Sequence, residues 1–189
     1  MKHLILLIKL SLLMLVTACG VQPGSKDPAD FEAEITALTQ EILAMDASVD
    51  PQEAARAARI SVEYPLQLRR DWNVTDPAII HNTKVNAGLR DMGLCYQWAD
   101  ALQARLAQEN FQTLIMHRAI ANADNIRLEH STVILGAQGE TLQEGIILDP
   151  WRYGGTLFWA PLLEDTRYEW IDRQEVFEYK RLNGRLPGA

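Results

Sequence analysis

The sequence predicts an α+β domain in which helices come first and an antiparallel sheet follows. Three observations carry that expectation. Up to Asn110 the apolar residues recur at helical spacing, and beyond it they fall in short runs rich in Ile, Val, Leu and Thr. Two of those runs are separated by "GAQGETLQEG", whose glycines suit a hairpin loop, so the strands on either side are expected to be antiparallel neighbours. Segregation of helices from strands along the chain is the pattern of a helix packed on one sheet, and 189 residues suffice for one such domain with a sizeable core.

The first segment is not expected to belong to that domain. Lys2 precedes, and Lys9 falls within, an apolar run, Leu4 to Val16, that is too short to span a bilayer comfortably and is followed by small residues, as in a secretory signal. The run ends in "LVTACG", which resembles the lipobox of bacterial lipoproteins: an aliphatic residue, two small ones, then the cysteine that is acylated. The resemblance implies a signal peptide over residues 1–18, cleavage before Cys19, a diacylglyceryl thioether on its sulfur and a further acyl chain, such as palmitate, on its new amine. Gly20, rather than Asp, follows, which in that family's sorting pattern implies an outer-membrane anchor facing the periplasm. Residues 19–27 then form a lipidated tether, polar and rich in Pro, Gly, Ser and Lys ("VQPGSKD"). Processing leaves 171 residues and takes the net charge from −7 to −9, which disfavours nucleic acid and anionic lipid surfaces as partners. Contact with the membrane is therefore expected through the acyl chains, at about 0.8 kcal/mol per buried CH₂.

Residues 28–189 are expected to form the single domain, with a helical part over 28–93 and a core bearing the chemistry over 94–160. Asp27-Pro28 opens a helix whose apolar positions, Phe31, Ile35, Leu38, Ile42 and Met45, make one stripe. Asp50-Pro51 opens an alanine-rich second helix that is expected to be interrupted at Pro65, and Asp76-Pro77 opens a third expected to run to Met92 and stop at Gly93. From Leu94 a fourth helix carries Cys95, Trp98, Ala99, Leu102 and Leu106 on its inner face. The strand-like runs are "TLIMHRAI", "HSTVILG", "EGIILD" and, more weakly, "TLFWAP"; a short helix near Gln174 to Leu182 closes the chain.

Cysteine usage raises the functional question. If Cys19 carries lipid, Cys95 has no partner in a compartment where cysteines are usually paired. It is either a small buried hydrophobe or a reactive thiol. Its place at a helix start favours a thiolate, because the free N–H groups of the first turn face it. His3 leaves with the signal, and His81, on the third helix, reads as a surface or half-buried residue. His117 and His130 fall on predicted strands. Only His130 is followed, one strand later, by a buried-looking carboxylate, Asp149, which could orient an imidazole. Asp149-Pro150 could instead open a helix, as Asp-Pro does elsewhere in the chain, although the glycines of "WRYGG" would stop it within a turn.

These residues resemble a family. "GLCYQWADAL" is similar to the segment that opens the nucleophile helix of transglutaminase-like proteins, and "EHSTVIL" and "ILDPW" are similar to their histidine strand and aspartate strand end. The order Cys, His, Asp and the gaps of 35 and 19 residues match their compact core. The resemblance covers roughly Asn86 to Trp159. It implies a papain-like fold with Cys95 as nucleophile, His130 as general base and Asp149 as its orienter, and no metal or other cofactor. Where the family commonly has a small residue and an aromatic after the histidine, this sequence has Ser131 and Thr132.

Such a triad implies a cysteine peptidase or amidase that passes through a thioester, with a protein or peptide as substrate and the Cys95 N–H as one oxyanion donor. Asn86 and Gln97 are the candidates for a second donor or for the groove, and Trp151 for shielding the imidazole from water. An amine in place of water would make the protein a crosslinking acyltransferase. A non-catalytic envelope lipoprotein that uses the same fold to bind a protein partner is the reading from a different class. The Asp-Cys-Ser-Gly start of another papain-like family of cell-wall endopeptidases is not present.

Overall fold

The structure, a computed structural model, describes residues 28–125 and 128–184. The expected signal peptide, Cys19 and the tether lie outside the described residues. Helix α1 (Pro28–Met45) and helix α2 (Pro51–Asp71) lie against each other, and the α1 stripe is inward as its spacing requires: Ile35, Leu38 and Ile42 are buried together with Ala54, Ala57, Ala58 and Val62 of α2. The Asp50 carboxylate caps α2, accepting from the N–H groups of Gln52 at 2.8 Å and Glu53 at 3.0 Å. The expected interruption at Pro65 does not occur. Proline removes one backbone donor, but Val62, Pro65 and Leu68 are all buried on one side, and burial of that side carries the helix through to Asp71.

Helix α3 is shorter than expected, spanning only Ala78–Asn86. Gly88, with φ +71, provides the left-handed residue just beyond its end, so the chain leaves the helix well before Gly93. Asp76 does not cap α3; it pairs with Lys84 at 2.7 Å instead. Helix α4 (Cys95–Ala107) buries Trp98, Ala99, Leu102 and Leu106, as its periodicity predicts.

The sheet has the order β4-β3-β2-β1-β5 and is antiparallel at every pairing, with β1 Leu114–Ala121, β2 His130–Ala137, β3 Ile146–Tyr153, β4 Thr156–Pro161 and β5 Ile171–Asp172. The loop between β2 and β3 does join antiparallel neighbours, in register Val133 to Leu148. One sheet face packs Val133, Leu135, Ala137, Ile146 and Leu148 against α1, α2 and α4. The other face carries Ile134 and Ile147 beneath Leu142, Leu162 and Trp170. Asp149-Pro150 lies inside β3 rather than opening a helix, and Gly154 (φ +58) and Gly155 (φ +102) make the tight turn into β4. Helix α5 (Arg173–Leu182) completes the described chain, capped by the Asp172 carboxylate. The class is therefore α+β, with helix α4 resting on strands β2 and β3 of one antiparallel sheet.

Candidate active site

The start of α4 is set by two side chains and a glycine behind it. His81 is 1% exposed, not the surface or half-buried residue that its helix suggests, and its Nε2–H donates to the Met92 carbonyl at 2.9 Å. Gly93 sits against that ring with φ +123, and a Cβ there would lie 2.5 Å from the ring atoms. Gln97 folds back so that its Oε1 accepts from the N–H groups of Gly93 at 2.8 Å and Leu94 at 2.9 Å. Its oxygen is thus part of the helix cap, and its amide nitrogen lies 3.2 Å from the Met92 sulfur. Among the described residues the N–H groups of Cys95 and Tyr96, which come next, have no protein acceptor. These two donors face the start of the helix, where partial positive charge gathers.

Cys95 is half-buried and unpaired, and its S–H is turned towards the Glu129 carbonyl at 3.7 Å. The next residue in that strand is His130, at the first position of β2 and 1% exposed. Its Nε2 lies 2.7 Å from Oδ2 of Asp149, which is wholly buried on the neighbouring strand. Burial pulls the imidazole pKa down. The charge and hydrogen bond of Asp149, with the Cys95 sulfur beside the ring adding to them, outweigh it and raise the pKa to about 9. His130 is therefore an imidazolium at neutral pH. Its Nδ1 is buried with no partner in bonding geometry, since the thiol is turned to Glu129.

Three aromatic rings surround the imidazole: Trp151 at 4.5 Å, Tyr168 at 5.0 Å and Trp170 at 5.3 Å between centroids. Trp151 is held by its own N–H, which donates to Asn82 of α3 at 2.9 Å. Asn86, in contrast, is exposed at the end of α3, and no hydrogen bond joins it to this group among the described residues. Cys95, His130, Asp149 and Trp151 are thus brought together, whereas Gln97 serves the cap and Asn86 stands apart.

Two arginines complete the site, and neither was singled out by sequence. Arg152, buried on β3, donates from Nε to Asp149 Oδ2 at 3.0 Å and from its backbone N–H to Oδ1 at 3.2 Å. Its guanidinium also grips Asp165, at 2.7 and 3.3 Å, while Phe158 stacks beneath it at 3.6 Å. Arg118, buried on β1, donates to Ser131 Oγ at 2.8 Å, to the Thr132 carbonyl at 3.3 Å, to Gln103 at 3.3 Å and to the carboxylate of Asp100. Burial holds its pKa below the usual arginine value, against the upward pull of Asp100 and of Cys95. Ser131, one of the two residues that depart from the family pattern, therefore anchors a cation; the other, Thr132, ties β2 to β3 through the Leu148 carbonyl at 2.7 Å. A charge inside each of the apolar runs "TLIMHRAI" and "ILDPWRY" was the available signal, since a buried arginine demands partners.

Among the described residues no three His, Cys, Asp or Glu side chains converge into a metal site, and no helix is long and apolar enough to cross a membrane. Comparisons with family models, with curated proteins and with solved structures give no match for this chain.

Proposed function

We propose that the chain is an envelope cysteine hydrolase, a peptidase or amidase of papain-like, transglutaminase-like fold, held at the membrane through lipid on Cys19. The observation that carries this reading is the thiol at the first turn of α4 beside an imidazolium whose far nitrogen is 2.7 Å from a buried carboxylate. The sulfur thus lies between the N–H groups of a helix start and a ring that can hold or release a proton. In the first step the Cys95 sulfur bonds to the carbonyl carbon of a peptide amide, and the carbonyl electron pair moves to oxygen, where the N–H groups of Cys95 and Tyr96 meet it. The C–N bond then breaks as His130 passes its proton to the departing amine, leaving a thioester. Neutral His130 next takes a proton from water as the water oxygen adds to the thioester, and collapse releases a carboxylic acid and returns the thiolate and imidazolium. Asp149 accepts from the ring's Nε2–H and holds the imidazole in place.

The rival reading, a lipoprotein that uses this fold only to bind a partner, draws on the depth of His130 and the turn of the thiol towards Glu129. Alkylation separates the two without knowledge of the substrate. Cys95 in the folded protein is expected to react with iodoacetamide, and His130→Ala to slow that reaction. A thiol that stays inert from pH 5 to 9 while the denatured protein alkylates normally would make the protein a binder.

A further inference from the structure

Beyond the three residues of the proposed triad, a second row of charges stands behind Asp149. Oδ2 of Asp149 receives two donors at once, His130 Nε2 at 2.7 Å and Arg152 Nε at 3.0 Å. The Arg152 guanidinium is in turn shared with Asp165, whose side chain is 2% exposed and whose Oδ2 also accepts from Trp170 Nε1 at 3.0 Å. Imidazole, carboxylate, guanidinium and carboxylate thus alternate in sign across β2, β3 and the segment between β4 and β5. The segment supplies more than Asp165. Tyr168 and Trp170 both lie against the His130 ring, and Tyr168 also lies 4.9 Å from the guanidinium.

A guanidinium is an expensive group to bury, and a simple tether between β3 and the next loop would not need one. What it does here is follow from its place. Its backbone N–H and Nε clamp both oxygens of Asp149, which fixes the carboxylate plane relative to the imidazole. Its charge also acts on the same oxygen that holds His130. We propose that Arg152, set by Asp165, is a positioning residue that acts on His130 through Asp149 and offsets part of that carboxylate's pull on the ring. This rests on the proposed triad for its use in catalysis, but not for its measurement.

The groups at the His130 ring are Cys95 from α4, Asp149 from β3 and Tyr168 from the segment after β4, with Arg152 and Asp165 behind Asp149; the neighbouring Glu129 carboxylate is paired with Lys180 of α5. Two carboxylates, Asp149 and Asp165, flank the one guanidinium of Arg152. Removing Arg152 makes the surroundings of the imidazole more negative, and removing Asp165 makes them less so. The two substitutions therefore shift the His130 titration in opposite directions, whereas loss of a mere structural clamp would let Asp149 drift from the ring and lower the midpoint in both.

The test is an NMR titration of the His130 ring in the folded chain, with iodoacetamide alkylation of Cys95 as a separate readout. Arg152→Gln is expected to raise the midpoint and Asp165→Asn to lower it, each by about one pH unit. Asp165→Glu, which keeps the charge, is expected to restore it. If Arg152→Gln does not fold, the double variant Arg152→Gln/Asp165→Asn removes the pair as a unit and is expected to titrate within about half a unit of the wild type. A fall of the midpoint in Arg152→Gln, or in the double variant, to the ordinary histidine range overturns the proposal, as does an unmoved midpoint in folded Asp165→Asn. Inert Cys95 with opposite shifts intact would instead reject the hydrolase and leave the role of Arg152 standing.

Discussion

A single carboxylate carries much of the site. Asp149 is wholly buried and meets three donors, one from His130 and two from Arg152, so its charge is matched from both sides. Asp149→Asn keeps the size and loses the charge. The His130 pKa, now about 9, should fall to or below its ordinary 6.5, because burial then acts on the ring with only Cys95 opposing it. Alkylation of Cys95 should slow accordingly, and, under the proposed hydrolase reading, turnover of a peptide amide should fall on the order of 10⁴-fold, the loss seen when the orienting carboxylate of a serine-protease triad is neutralised. Stability should drop by about 3 kcal/mol in urea unfolding, since Arg152 is left with Asp165 alone. Identical alkylation profiles in wild type and variant would remove Asp149 from any catalytic role. At this scale the Cys, His and Asp were legible because each interrupts or opens an apolar pattern. Arg152 and Asp165 were not, because their pairing spans 13 positions and depends on how β4 turns back over β3.

Between residues and molecule, the start of α4 is the element on which the site depends. It is held by contacts that no periodicity could reveal: the His81 ring behind Gly93, and the Gln97 side chain folded onto two N–H groups. Helices α1 and α4 were readable because their apolar stripes are simple, and β1 to β4 because their runs are short and branched. Helix α2 outran its proline and α3 fell short of Gly93 for opposite reasons, one driven on by burial and the other ended by Gly88. Gly93→Ala tests whether close approach fixes the helix start. The new Cβ meets the His81 ring at 2.5 Å and the residue must keep φ +123, so strain and overpacking together should cost about 3 kcal/mol in urea unfolding. Combining it with His81→Ala should recover about 1 kcal/mol or more relative to the sum of the single effects, because the overlap is then gone. Additive costs would mean that ring and glycine do not act together.

Across the whole molecule, the same ionic arrangement that serves the site should shape stability against pH. His130 has a folded pKa of about 9 against 6.5 for an ordinary histidine, so the folded state holds its proton more tightly than the unfolded one. A group raised in this way contributes its full stabilisation below about pH 6.5, and that contribution is lost as pH rises through about 9. Its size is about 3 kcal/mol, a large part of the margin by which a domain of this length is stable. The acid side runs the other way. Glu53 is buried, which pushes its pKa up, but its carboxylate accepts from the Thr113 hydroxyl and from the N–H groups of Gln112 and Thr113, and the net shift is downward; Asp165 is lowered against its own burial by Arg152 and Trp170. Their contributions are present above the ordinary carboxylate pKa and vanish as pH falls through their lowered values. Stability should therefore be greatest between these limits, near pH 5 to 6, and decline on the alkaline side before lysines or tyrosines titrate in the unfolded chain. Urea unfolding from pH 6 to 9.5 should show a loss of about 3 kcal/mol in the wild type and a nearly flat profile in His130→Gln, which has no ring to titrate. A wild-type curve as flat as the variant's would mean that His130 is not held as an imidazolium in the folded protein, and the proposed hydrolase would lack its source of a proton for the departing amine.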